Sequence, residues 1–366
     1  MPGYMASLMD LLVYGSNFAW IILIVVFLAY GQRIQIELSL RNVNKRLQKL
    51  EKMNSDAMNT FIDTLKKKGV TDADAKSEAN IITNTFLIKP TNMDPHGVVN
   101  KLEQLVRNYE DFFIGRLKRL MPNESIVSIQ NMSNIAESAL ALNEIYKFVR
   151  HYYISAKKYH DYYSLIMLQI QMPSIIDAAE AYFESMPAFI SGESIGDTLG
   201  PVVLTQLSPN VQYKEIVKDT EMGEIDFEGR KLVLIKAKGP GGTVGVPGEA
   251  ISKVLDSYPA SMVITVDAAL KLEGEDTGET VEGYGVAIGG LGTDRFEVEE
   301  AAARKKVPLY VVVVKMSLKE AICKMTDKVR RASLDASEKV KAAIKERTKE
   351  GDIVIVAGIG NTIGIP

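Results

Sequence analysis

The chain has 366 residues, 46% of them hydrophobic and 24% charged, with a formal net charge of −3. That is the composition of a folded protein of about two domains. It excludes a disordered chain, and it gives no overall pull toward nucleic acid, so no nucleic-acid partner is expected. The single cysteine, Cys323, excludes a disulfide framework and a cysteine-built zinc centre. Three histidines, His96, His151 and His160, leave little for a histidine-rich metal site.

From Leu11 to Tyr30 no residue carries a charge. As a helix rising ~1.5 Å per residue, this stretch would measure ~30 Å, the thickness of the bilayer hydrocarbon. The only charge ahead of it is Asp10, and no small-x-small step follows it, so a cleaved signal peptide does not fit. No Lys or Arg precedes the stretch, whereas Arg33, Arg41, Lys45, Arg46, Lys49 and Lys52 follow it. The positive-inside rule therefore predicts a single-pass anchor over residues 1–32. The chain would sit in the cell membrane with its bulk in the cytoplasm, a compartment in which an unpaired thiol persists.

Residues 33–55 read as a helical stalk. Ile36, Leu40, Val43, Leu47 and Leu50 alternate spacings of four and three, a short heptad seam. Such a seam serves either a homo-oligomeric coiled coil beside the membrane or packing on the chain's own helices. The basic stripe beside it reads as a solvated face or as a contact with anionic lipid.

Residues 56–190 read as a helical domain. Thr71 is placed to cap a helix over Asp72 to Phe86. Pro90, Asp94 and Pro95 predict a break. Leu102, Leu105, Val106, Tyr109, Phe112, Phe113 and Leu117 recur at helical spacing, and Pro122 opens a further helix with Ile135, Leu142, Ile145, Tyr146 and Val149 on one face. Tyr152, Tyr153, Tyr159, Tyr162 and Tyr163 form an aromatic stripe, expected to pack between helices. Pro173 is expected to kink or end its helix. His151 and His160 lie nine apart, not at the three or four spacing of a helical metal pair.

At about residue 191 the texture changes. Residues 1–191 hold six glycines and 192–366 hold twenty-one. Net charge moves from +1 (20 Lys and Arg against 19 Asp and Glu) to −4 (23 against 27). Short, largely β-branched runs at Leu232 to Ile235, Met262 to Val266, Leu309 to Val314 and Ile353 to Val356 suit strands covered on both faces. Val281 to Ile288 is a further strand candidate. Helical stretches at Glu249 to Ser257, Phe296 to Lys305 and Leu318 to Lys349 alternate with them. The pattern predicts a mostly parallel, three-layer α/β domain over 191–366.

Ligands of open parallel sheets collect at the carboxyl ends of the strands. Four segments map there. Gly239 to Gly248, with Gly241, Gly242 and Gly245, joins a strand to a helix; it forms either an anion cradle of backbone amides or a tight structural turn. It lacks the Gly-Lys-Ser/Thr step of a P-loop. Asp267 follows the run Met262 to Val266, where a carboxylate can orient a metal, act as a base or cap a turn. Gly283, Gly285, Gly289, Gly290 and Gly292 permit close backbone approach. Gly358, Gly360 and Asn361 follow the last strand. Ahead of the domain lies the glycine-spaced acidic turn Gly196-Asp197-Thr198-Leu199-Gly200, which by composition alone reads as a linker.

Taken whole, with its single anchor, helical middle, Val266-Asp267-Ala268-Ala269 and closing Gly358-Ile359-Gly360-Asn361-Thr362, the chain resembles an uncharacterised archaeal family known only as a domain of unknown function. That resemblance implies no activity. Asp267-Ala268, Asp197 in its glycine turn and Gly358-Ile359-Gly360-Asn361 also resemble motifs of the phosphorylase/hydrolase-like fold of hydrogenase maturation and germination endopeptidases. There the Gly-x-Gly-Asn strand precedes the acidic loop; here it comes last. The resemblance therefore implies a circular permutation in which the final strand lies centrally and delivers Asn361 close to Asp197. Carried over, Asp197 and Asp267 would be partners, sharing a proton or holding a cation, although residues 192–366 lack the family's histidine. Two functions are expected on these grounds: a membrane-anchored oligomeric scaffold or ligand-binding protein, or a peptidase-like hydrolase using the two aspartates. Neither the cofactor nor the metal, if one is used, is specified by the sequence.

Overall fold

The computed structural model describes the backbone of residues 2–85, 97–289 and 292–366, and their side chains except at 2–19, 21–24, 26–30, 32–33 and 100. The expected break at Pro90, Asp94 and Pro95, together with His96, Gly290, Arg33 and nearly all side chains of Leu11 to Tyr30, lies outside this description. Among the described residues no helix is long and apolar enough to cross a membrane.

The N-terminal half is helical: α1 (Pro2–Lys67), α2 (Asp72–Asn84), α3 (Val98–Leu120), α4 (Ile126–Tyr159) and α5 (Tyr162–Ser191). The boundaries expected at 32 and 55 do not interrupt α1, which runs continuously through both. Thr71 caps α2, its hydroxyl accepting from the Asp74 amide at 3.2 Å. Phe113 and Leu117 are buried on α3, and Ile135, Leu142 and Val149 on α4. Pro173 does not end α5. A proline inside a helix costs ~3 kcal/mol, but Leu168 and Met172 beside it are buried, and their packing holds the helix through it.

The chain divides into two compact units, Met1–Lys52 with Glu144–Ile176, and Met53–Asn143 with Asp177–Pro366. The first takes the N-terminal part of α1, the C-terminal part of α4 and the first half of α5. Within it Val43, Leu47 and Leu50 are buried, and Val43 shares a cleft with Gln169 and Met172 of α5. The heptad seam is thus closed by helices of the same chain. The tyrosine stripe departs from expectation: Tyr159 is 68% and Tyr163 79% exposed.

The second unit carries the sheet. After a 3-10 turn at Gly196–Thr198 come α6 (Leu199–Leu207), β1 (Lys214–Val217), β2 (Thr220–Phe227), β3 (Arg230–Ala237), α7 (Pro247–Ser257), β4 (Ala260–Leu270), β5 (Thr280–Tyr284), α8 (Thr293–Lys305), β6 (Leu309–Met316), α9 (Leu318–Ile322), α10 (Asp327–Arg347) and β7 (Ile353–Gly358). The strand order is β1-β2-β3-β7-β4-β6-β5. The four inner strands are parallel; β1, β2 and β5 add antiparallel edges. The sheet is therefore mixed rather than mostly parallel. β2 and β3 meet at Glu228-Gly229, both at positive φ, as a two-residue hairpin requires.

Alternation along the inner strands feeds two cores. Leu232, Leu234, Met262, Ile264, Val354 and Val356 pack with α6 and α10. Val233, Ile235, Val263 and Ile355 pack with α7 and α8. Side chains alternate across a strand, and both faces are covered, so the inner runs are unbroken apolar. One exception is Lys236 on β3, wholly buried. Its ammonium pairs with Glu221 at 2.6 Å and donates to the Pro366 carbonyl at 2.9 Å, so the charge is compensated rather than stranded.

Candidate functional site

The site is built at the carboxyl end of the central strand. Ile359 continues β7, its amide donating to the Val266 carbonyl of β4 at 2.8 Å. The turn 196–200 then lies directly against that end, backbone on backbone. A Cβ on Gly200 would stand 2.2 Å from the Ile359 oxygen and 2.6 Å from the Val266 oxygen. One on Gly196 would stand 2.0 Å from the Glu320 oxygen, at the α9 side. Gly360 adopts φ +123°, and a Cβ there would meet the Asp197 carbonyl at 2.0 Å. Only glycine fits such approaches, so the segment that reads as a linker is instead a fitted part of the sheet rim.

This packing delivers Asp197. Its carboxylate accepts from the Asn361 amide at 2.8 Å, across 164 positions of sequence. Asn361 is itself buried and fixed, its side-chain oxygen accepting from the Ile363 amide at 2.9 Å. Asp267 sits one residue beyond the last β4–β7 pair, Val266 with Gly358. It is 6% exposed and accepts from the Ala268 amide at 2.7 Å and from the Gly289 amide. Asp197 is half-buried as a residue.

Electrostatics follow from the burial. Loss of solvation raises the Asp197 carboxyl to about 6, against the Asn361 hydrogen bond, which lowers it. Asp267 is raised well above the ordinary carboxyl range, by desolvation first and by the Asp197 charge second. Among the described residues neither forms an ion pair. Two carboxyls near enough for one to feel the other's charge, with no cation paired to either among the described residues, cannot both ionise cheaply. Each carboxyl therefore keeps its proton to a higher pH than an ordinary aspartate, Asp197 to about 6.

The other expected glycines divide. Gly289 and Gly360 join the carboxyls. Gly241, Gly242 and Gly245 do not. The Gly242 amide donates to Asn131 at 2.9 Å, its carbonyl accepts from Asn134 at 2.7 Å, and the Gly245 amide is taken by Thr243. At the start of α7 the Gly248 amide donates to Asp294. The loop is thus a tight structural turn pinned to α4, and these amides are engaged rather than presented to an anion. Thr362 ties the chain's final residues to the same loop, its hydroxyl donating to the carbonyls of Gly241 and Thr243 at 3.1 Å each. Nothing in the sequence marks Asn131 and Asn134, because an asparagine on a helix carries no sign of a partner 111 or 108 residues away. Among the described residues no group of three or more His, Cys, Asp or Glu could hold a metal ion.

Two family models cover nearly the whole chain. Residues 17–192 match the N-terminal domain of a protein of unknown function (DUF1512), and residues 195–366 match the C-terminal domain of the same family. The chain belongs to the DUF1512 family. No curated protein matches the sequence. The carboxyl pair lies wholly within the DUF1512 C-terminal region, and the two regions abut between Gly192 and Ile195, just ahead of the Asp197 turn.

Proposed function

We propose that this DUF1512 protein is a membrane-anchored ligand-binding protein. Leu11 to Tyr30 holds it in the bilayer, the α/β domain faces the cytoplasm, and the Asp197–Asp267 pair takes a small molecule that presents an amino or hydroxyl group. The observation that carries this reading is the placing of two buried carboxyls at the end of the central strand, Asp267 within reach of the Asp197 charge and neither, among the described residues, with a basic partner. A buried carboxyl pair costs stability, and a ligand cation or donor cluster supplies the compensation the chain withholds. The orientation rests on the basic residues that follow the charge-free stretch.

Thermal-shift measurement with a panel of small amines and sugars tests it. A ligand at ~100 times its dissociation constant adds ~2.7 kcal/mol. At least one compound is expected to raise the midpoint of the wild-type chain, and Asp197→Asn and Asp267→Asn are expected to abolish that rise while remaining folded. Equal shifts in all three proteins would remove the site from consideration.

A second reading has one specific observation behind it: both carboxyls are raised, and the Asp197 charge raises Asp267 further, the coupling on which an acid and a base at one site depend. Hydrolysis of a peptide-like bond by that pair predicts loss of turnover in both Asn variants.

A further inference from the structure

We propose that the tip of the α4–α5 hairpin is a second membrane contact, resting among anionic lipid headgroups through the tyrosines and lysines of residues 152–163. It rests on the reading of Leu11 to Tyr30 as a membrane span.

Two observations fix the tip's height along α1. Tyr146 of α4 donates to Glu51 of α1 at 3.1 Å, so these residues are level. On α5, Gln169 and Met172 share a cleft with Val43 and Arg46 of α1. If α4 ran parallel to α1, its end would lie ~20 Å beyond Glu51, too far for the next few residues of α5 to return to Val43. The hairpin therefore points back toward the N-terminus of α1. Counted along α4, thirteen residues from Tyr146 bring Tyr159 level with about Leu38. Counted back along α5, Tyr162 falls at about the same height. The two counts agree.

Leu38 is eight residues past Tyr30, or ~12 Å along the helix. The headgroup layer itself accounts for ~5–7 Å beyond the hydrocarbon. A tyrosine or lysine side chain directed along α1 spans the rest.

The composition of the tip suits that place. Tyr159 is 68% and Tyr163 79% exposed, and Ile34 and Leu38 of α1 are exposed at the same level. Tyrosine, apolar along its ring and polar at its hydroxyl, concentrates at membrane interfaces. Arg150, Lys157 and Lys158 are exposed, and residues 150–165 hold a single acid, Asp161. That acid is turned to its own helix, accepting from the Ser164 amide at 3.1 Å. Lys158 lies over the Tyr159 ring at 5.0 Å, so cation and aromatic present one face. The positive charge favours anionic lipid over a second copy of this same basic tip.

The test uses the full chain in vesicles of phosphatidylcholine with or without phosphatidylserine. In a Cys323→Ser background, a fluorescent label is placed at Tyr163→Cys and, as a control far from the tip, at Glu144→Cys. Quenchers carried on lipid headgroups are expected to quench the Tyr163 label and spare the Glu144 label, more strongly with phosphatidylserine. Lys157→Gln and Lys158→Gln are each expected to weaken the contact about fivefold. Equal quenching at both sites, in a chain that resists carbonate extraction, overturns the tip contact and leaves the anchor standing. Extraction by carbonate overturns the anchor itself, and the contact with it. Disulfide trapping of two Tyr163→Cys chains without lipid quenching assigns the face to a second copy and also overturns the proposal.

Discussion

Asp197 shows how much one side chain can hold against stability. Its carboxyl is raised from 3.8 to about 6 by burial, so the folded state keeps the proton where the unfolded chain has released it. Stability from this group is full below pH ~4, falls as pH rises toward 6 and levels off above. Two pH units correspond to about 3 kcal/mol. Asp197→Asn retains an oxygen for the Asn361 amide and removes the titration. The variant is therefore expected to match the wild type near pH 4 and to exceed it by up to about 3 kcal/mol at pH 7.5 in denaturant melts. A constant difference across that range would show that burial does not press on this carboxyl.

Between elements, contact at the site is backbone against backbone. Gly200→Ala drives a methyl to 2.2 Å from the Ile359 oxygen, an atom fixed by the sheet, and is expected to cost about 3 kcal/mol or more. Gly274→Ala, at φ +90° but in open space, should cost only about 1 kcal/mol from strain. Comparison of the two thermal midpoints checks the assignment, and equal losses would count against the fitted rim.

The inner strands were legible because burial on both faces leaves unbroken apolar runs, and α7, α8 and the α9–α10 pair follow the expected stretches closely. β1 and β2 have no such mark in the sequence. Their signal was alternation, Glu221 against Met222 and Glu224 against Ile225, with Glu228-Gly229 as the turn, and it is weaker than a continuous run. The candidate site was legible in part. Asp197, Gly360 and Asn361 come together, with Asp267 within reach of the Asp197 charge, whereas the Gly241–Gly245 loop has the composition of an anion site while its Gly242, Thr243 and Gly245 amides are already engaged. Glycine content alone cannot tell a cradle from a close fit.

At the scale of the molecule, the helices of residues 53–143 are not separate from the sheet. Met53–Asn143 shares its compact unit with the α/β domain, and α4 holds the glycine loop through Asn131 and Asn134. Asn131→Ala and Asn134→Ala each remove one hydrogen bond to the loop, worth about 1–3 kcal/mol when its partner is left buried. Hydrogen exchange is expected to speed up at Gly242 and at Thr362, whose amide donates to the Thr243 carbonyl. Unchanged protection would mean that the helices merely adjoin the loop.

The sheet's middle strand is also the last one to be synthesised. Until residues 353–358 leave the ribosome, β3 and β4 have no common neighbour, and each exposes an apolar edge to whatever else is nascent nearby. Residues 199–352 must wait in that unfinished state, and neither carboxyl can find its place before the wait is over. A cell making this protein therefore has reason to shield the incomplete chain, and a stalled or prematurely halted translation yields sticky fragments rather than a half-working domain.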